Sequence, residues 1–192
     1  MGSKHQRLWL SVVCTATLAA SSATAQDQPA STNRVAAKTD WSVFVEDEPK
    51  ECWGVSQPKE TVNTRDGRVV AVRRSEILLF VYYRPEADVK GQVTFTGGYP
   101  FARGSSVNLN IGGTEFELIT VPEDDPSTPG DDREWAWPAT TSDDAKIITA
   151  MKRGTQAVLT ARSGRGTVTK DTFSLLGFTA VIEDAESRCS AG

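Results

Sequence analysis

Apolar and polar residues alternate with period two along much of the chain, the mark of strands that bury one face. Trp41, Val43 and Val45 alternate with Ser42, Phe44 and Glu46, and Glu48-Pro49 ends the run. Cys52 to Val55 reads as a short second strand, Thr64-Arg65-Asp66-Gly67 as a turn, and Val69 to Val72 as a strand. Ile77 to Tyr83 is an unbroken apolar run ended by Pro85, the pattern of a strand buried on both faces. Val93 and Phe95 alternate with Thr94 and Thr96 until Gly97-Gly98 and Pro100 intervene. The clearest hairpin follows. Val107, Leu109 and Ile111 are joined through Gly112-Gly113 to Thr114, Phe116 and Leu118. Glu134 to Trp137 resumes as a strand after a loop rich in proline and aspartate. Ala157 to Arg162 and Val168 to Phe173 flank Gly164-Arg165-Gly166 as a second hairpin.

Two segments change period. Ser142 suits a helix N-cap, Asp143 and Asp144 follow it, and Lys152, Arg153 and Gly154 come at the far end. That order complements the helix dipole and closes the C-terminus. Near the end of the chain Phe178, Val181, Ile182, Ala185 and Cys189 fall on one stripe of a helix. The sum is about nine short strands and two helices. The expected fold is mainly β with two helices (α+β), a single-domain β-sandwich or curved antiparallel sheet with the C-terminal helix packed on it.

The amino terminus belongs to a different regime. Lys4 and Arg7 precede an uncharged, mostly apolar stretch from Leu8 to Ala20, and Ala23-Thr24-Ala25 supplies the small residues that signal peptidase requires. Residues 1–25 therefore read as a secretory signal. Ser11-Val12-Val13 before Cys14 does not form a lipoprotein processing site. Residues 26–39, polar and without apolar period, read as a disordered leader, residues 40–189 as the folded domain and 190–192 as a tail. No run is long and apolar enough for a bilayer span beyond the signal.

Cleavage changes the composition. The chain has 192 residues and a formal net charge of −4. Removal of 25 residues takes away two bases and no acid, leaving 167 residues at −6. An acidic balance argues against nucleic-acid binding. The single histidine, His5, leaves with the signal. Serine–histidine and cysteine–histidine catalysis and histidine-ligated metals are thereby excluded from the mature chain. Cys52 and Cys189 remain, and in an exported protein they are expected to pair, the alternative being two separate buried thiols.

Few residues point to chemistry. Trp135 and Trp137 are two apart, so on a strand they share a face and are the candidate ligand-binding residues. They stack on a sugar or peptide in one reading and fill the core in the other, which is the stronger expectation for this pair and stronger still for Trp41 and Trp53. Arg73-Arg74 and Arg162/Arg165 suit an anionic partner such as lipopolysaccharide or a phosphate, or else solvated strand edges. The acidic loop from Glu123 to Asp132 lacks EF-hand spacing and reads as a solvated loop. The glycine pairs are not phosphate loops, and no spacing of carboxylates singles out a catalytic pair.

In order along the chain, Asp40-Trp41-Ser42-Val43, Cys52-Trp53-Gly54-Val55, Phe95-Thr96-Gly97-Gly98-Tyr99-Pro100, Trp135-Ala136-Trp137-Pro138, Ala150-Met151-Lys152-Arg153-Gly154 and Phe173-Ser174-Leu175-Leu176-Gly177-Phe178-Thr179-Ala180 resemble the invasion-associated locus B family of exported alphaproteobacterial proteins. The resemblance covers most of residues 40–189. It implies a periplasmic, secreted or surface-associated protein without catalytic residues, metal or cofactor, and for pathogenic relatives a role in host-cell entry or adhesion. Many members carry a cysteine near the position of Phe44, and its absence here strengthens the pairing of Cys52 with Cys189.

The expected function is thus a non-catalytic cell-envelope protein that meets an envelope or host-surface protein or glycan. The alternatives are a glycan- or small-ligand-binding module using Trp135 and Trp137, and a carboxylate-dependent envelope hydrolase. Export is checked by mass spectrometry of the protein recovered from the cell envelope. The expected first residue is Gln26, and recovery of chains that retain Met1 would refute the signal reading.

Overall fold

Twelve strands pair antiparallel into one sheet in the computed structural model, which describes residues 33–121 and 133–190. In chain order they are β1 (Arg34–Lys38), β2 (Trp41–Asp47), β3 (Lys50–Ser56), β4 (Glu60–Arg65), β5 (Arg68–Val69), β6 (Leu78–Arg84), β7 (Val89–Thr96), β8 (Val107–Ile111), β9 (Thr114–Thr120), β10 (Trp135–Trp137), β11 (Gln156–Arg162) and β12 (Val168–Ser174). Across the sheet the order is β1-β2-β3-β6-β7-β10-β9-β8-β11-β12-β4-β5. The signal, the first part of the leader, the acidic loop and the last two residues of the tail lie outside the described residues.

The sheet curls so that its two halves face each other. Phe95 on β7 meets Phe173 on β12 edge-on at 6.2 Å between ring centroids, although four strands separate them in sheet order. The period-two pattern supplies the inner face. Val43, Leu79, Val81, Val93, Leu109 and Leu159 are all fully buried there. Burying an aliphatic side chain of this size stabilises by about 1.5–3 kcal/mol, so the alternation is what drives the closure. Trp41 fixes the seam, because its indole N–H donates to the Ser174 carbonyl at 2.8 Å and its ring meets Phe178 at 4.8 Å.

Both helices pack on this inner side. Helix α1 (Thr141–Arg153) is capped by Thr140 rather than Ser142. The Thr140 backbone is extended and its hydroxyl accepts the Asp143 N–H at 3.2 Å, whereas Ser142 already lies within the helix. Helix α2 (Phe178–Ser190) buries the predicted stripe of Phe178, Val181, Ile182, Ala185 and Cys189. Val181 and Ile182 sit directly over Gly54, where a β-carbon would come within 2.8 and 2.7 Å of them. Gly177 starts the helix in the left-handed region at φ +90°, and any β-carbon there would lie 2.0 Å from the Lys38 carbonyl oxygen. That contact seats α2 against β1.

The α+β expectation of a curved antiparallel sheet with a C-terminal helix holds, with local differences. Residues 34–38, assigned to a disordered leader, form β1 by pairing with β2. Their side chains are mostly exposed, so the strand rests on backbone hydrogen bonds and leaves no apolar period to read. Strand β4 is equally polar and pairs with β12. The strand expected over Val69 to Val72 shrinks to β5, and residues 70–77 run without regular structure. In β6 the inner residues Leu79, Val81 and Tyr83 are buried as expected, but of the outer residues Phe80 alone is fully covered.

Cys52 and Cys189 form a disulfide with 5.8 Å between α-carbons, tying the last turn of α2 to β3. The Cys189 sulfur also lies 3.5 Å from the Tyr83 carbonyl. The bond spans 137 residues, and the chain-entropy model gives about 4–5 kcal/mol for closing such a loop. A loss of that size is expected on reduction or in Cys189→Ser, read from guanidinium unfolding midpoints. A loss below about 1 kcal/mol would mean that helix packing alone holds α2 in place.

Candidate functional site

Alternation in β2, β3 and β6 sends every second residue outward, and several of these are aromatic. Register places Phe44 opposite Trp53 and Trp53 opposite Tyr82. The Phe44 and Trp53 rings stack nearly parallel at 5.6 Å, and Tyr82 follows Trp53 at 5.9 Å. Phe80 continues from Tyr82 at 5.2 Å, and Trp135 on β10 closes the row at 5.7 Å from Phe80. The result is a cross-strand aromatic row on the outside of the curl, with all but Phe80 half-buried. The Arg84 guanidinium lies over the Tyr82 ring at 4.4 Å and pairs with Glu51 at 3.0 Å. Burial pushes the Tyr82 hydroxyl up to about 12, so it stays protonated at neutral pH.

Trp135 and Trp137 do share a face, because Ala136 between them is fully buried. Trp137 stands opposite Ile119, itself exposed on β9. Trp41 is core, as expected, while Trp53 is not, since its position in β3 points away from the interior. Sequence reasoning paired Trp135 with Trp137 alone and missed Phe44, Trp53, Tyr82 and Phe80. The signal was present in the outward parity of β2, β3 and β6, but only the strand order makes those positions adjacent.

A second feature sits where residues 71–74 meet the 97–100 turn and the β11–β12 hairpin. Here a cleft of about 580 Å³ is lined by Arg65, Arg73, Arg74 and Arg165 with Tyr99, Ser163 and Thr167. Among the described residues Glu134 is the acidic one on its wall. Arg74 forms its floor and is not a solvated edge residue. The guanidinium grips the fully buried Asp171 with two hydrogen bonds of 2.7 and 2.6 Å. It also donates to the Gly97 carbonyl at 2.8 Å and stacks on Tyr99 at 5.0 Å. Burial pushes the Asp171 carboxyl up, and the Arg74 hydrogen bonds and charge pull against that. Gly98, at φ +68°, lets the turn approach the Ser75 backbone, which donates its N–H to the Gly98 carbonyl at 3.0 Å. The Gly97-Gly98 pair is thus a clamp on the arginine segment.

A further cavity, of about 390 Å³, is lined by Asp88, Lys90 and Asp144 among others. Asp144 is buried and accepts the Val93 N–H at 2.8 Å, docking α1 on β7. Asp88 is exposed and paired with Lys90 at 2.7 Å. Among the described residues no group of three or more histidine, cysteine, aspartate or glutamate side chains is placed to hold a metal ion. Among the same residues no helix is long and apolar enough to cross a membrane.

No family model matches the chain, and no curated protein matches it. Among solved structures, the crystal structure of invasion associated protein B from Bartonella henselae matches with a TM-score of 0.50. The two share a fold. The match covers 79% of this chain and 95% of that one at 18% identity, so the likeness is one of architecture. It agrees at that level with the resemblance read from the sequence motifs.

Burial pushes the Asp144 carboxyl up from 3.8 to about 6. Between about pH 4 and pH 6 the folded state then keeps a proton that the unfolded chain has released, so stability falls as pH rises through that window. Asp144→Asn retains an oxygen for the Val93 N–H and carries no charge. It is expected to be more stable than the parent by about 1–3 kcal/mol at pH 7.5, with the gap closing by pH 4. Urea titrations at both pH values check this, and an equal gap at both would show that the carboxyl titrates normally.

Proposed function

We propose that this is an exported, non-catalytic cell-envelope protein of the invasion-associated locus B type that works by contact, binding a protein partner through its aromatic sheet face. The aromatic row from Phe44 through Trp53, Tyr82 and Phe80 to Trp135 carries the reading. Protein interfaces are enriched in tryptophan, tyrosine, phenylalanine and arginine, and a half-buried aromatic surface flanked by Arg84 and Glu51 has that composition. The rings are already held by one another, so little side-chain freedom is lost when a partner covers them. The fold shared with a protein named for invasion and the signal-like amino terminus support the same reading.

Glycan binding is the second reading, favoured by the common face of Trp135 and Trp137. In it one of these two rings carries the ligand. In the protein-contact reading the opposite end of the row, at Phe44 and Trp53, is engaged as well.

A photo-crosslinking amino acid placed at Phe44 in living cells separates these. A discrete protein adduct is expected from Phe44 and none from Glu115, which is exposed on β9. Adducts of the same pattern from both positions, or from neither, would overturn the protein-contact reading. Tryptophan fluorescence that responds to envelope glycans and is abolished by Trp137→Ala, with no adduct at Phe44, would establish the glycan reading instead.

A further inference from the structure

The arginine cleft has no part in the function proposed above. We infer that it is a binding site for a phosphate monoester carried on a sugar-sized group.

The charge balance of the cleft runs against that of the chain. The whole sequence carries −4, yet among the described residues Arg65, Arg73, Arg74 and Arg165 converge on one cleft against a single lining acid, Glu134. Asp171 lies beneath the floor and neutralises Arg74. Three guanidiniums therefore remain for one carboxylate. Arg65 is already oriented, because it donates to the Thr167 hydroxyl at 2.7 Å. Arg73 and Arg165 are exposed and form no ion pair among the described residues. Several like charges held close together repel one another, and an anion bound among them relieves that repulsion.

The shape selects among anions. Guanidinium forks match the oxygens of phosphate, two N–H donors to two oxygens, and several forks around one point favour a dianion over a carboxylate. A bare phosphate would occupy a small part of about 580 Å³, whereas small-molecule sites span roughly 300–1,000 Å³. Val72, Tyr99 and Pro100 supply an apolar wall for the organic part, and Ser163 and Thr167 supply polar groups beside it. The Tyr99 hydroxyl is pushed up to about 12 by burial and bonded to Thr169 at 2.6 Å, so that wall stays neutral. The floor is rigid, since Arg74 is held by Asp171, Gly97 and Asn63 together.

The same chemistry occurs in a free sugar phosphate and in the phosphorylated saccharide headgroup of an envelope lipid. Isothermal titration of the signal-free protein with glucose 1-phosphate, inorganic phosphate and glucose tests the first source. Sedimentation with phosphatidylcholine vesicles, with and without lipid A, tests the second. Arg73→Ala/Arg165→Ala is the matched variant. Both side chains are exposed, and an unchanged thermal midpoint confirms that it folds.

Glucose 1-phosphate is expected to bind at least about tenfold more tightly than inorganic phosphate, glucose not at all, and the variant at least about tenfold more weakly. Sedimentation with lipid A vesicles that is lost in the variant, without binding of glucose 1-phosphate, supports the site with a lipid headgroup as its source. Absence of binding in both assays overturns the inference. So does phosphate binding of equal strength in the parent and the variant. Neither result bears on the crosslinking at Phe44, which reads a different surface.

Discussion

The ion pair of Arg74 with Asp171 is the point at which the curled sheet is locked shut. Both side chains are almost wholly removed from water, at 5% and 0% exposure. Burying two charges costs several kcal/mol each, and the attraction between them compensates only where the remaining donors are also satisfied. Here they are. The guanidinium reaches Asp171 on β12, Asn63 on β4 and the Gly97 carbonyl at the end of β7, and Tyr99 covers its face. Strands distant in sheet order are joined through one side chain. The irregular segment before β6 acquires a fixed path, which is what brings Arg73 to the cleft.

Closing the sheet has a consequence for its other side. The interior accepts only one parity of each strand, so the aromatic residues of the opposite parity in β2, β3 and β6 stay outside. They cover one another instead. Each aromatic pair of this kind contributes about 0.5–1.5 kcal/mol beyond its buried area, and the row still presents half-exposed rings to its surroundings. A protein under no demand for contact would gain solubility from polar residues at these positions.

Much of the fold could be read along the chain, for physical reasons that differ by element. The β8–β9 and β11–β12 hairpins follow from local alternation and glycine turns. Helix α2 follows from a stripe of five residues, each of which proved buried. The disulfide was legible as the expected pairing of the two cysteines outside the signal-like segment, Cys52 and Cys189, with two separate buried thiols as its alternative. Strands β1 and β4 were not legible, because their stability lies in backbone hydrogen bonds to a neighbour and not in side-chain pattern. Trp53 was misjudged because a large aromatic ring signals burial but not which face of a strand it occupies. For Trp135 and Trp137 the shared face was legible and the contact with Phe80 was not.

The sequence by itself determined the class of fold, the period-two inner face and the apolar stripe of α2. Each of these depends on residues near one another in the chain or on composition alone. Only the tertiary structure decided which outward residues became neighbours. Phe44, Trp53, Phe80 and Trp135 are far apart in sequence, and so are Arg65, Arg73 and Arg165. Their meeting depends on strand order and on the curl of the sheet, which arise from long-range pairing that no local pattern encodes. Of the arginines read as anion contacts or solvated edges, Arg73, Arg74 and Arg165 therefore meet Arg65 in one cleft while Arg162 is not among its lining, and the scattered rings became one surface.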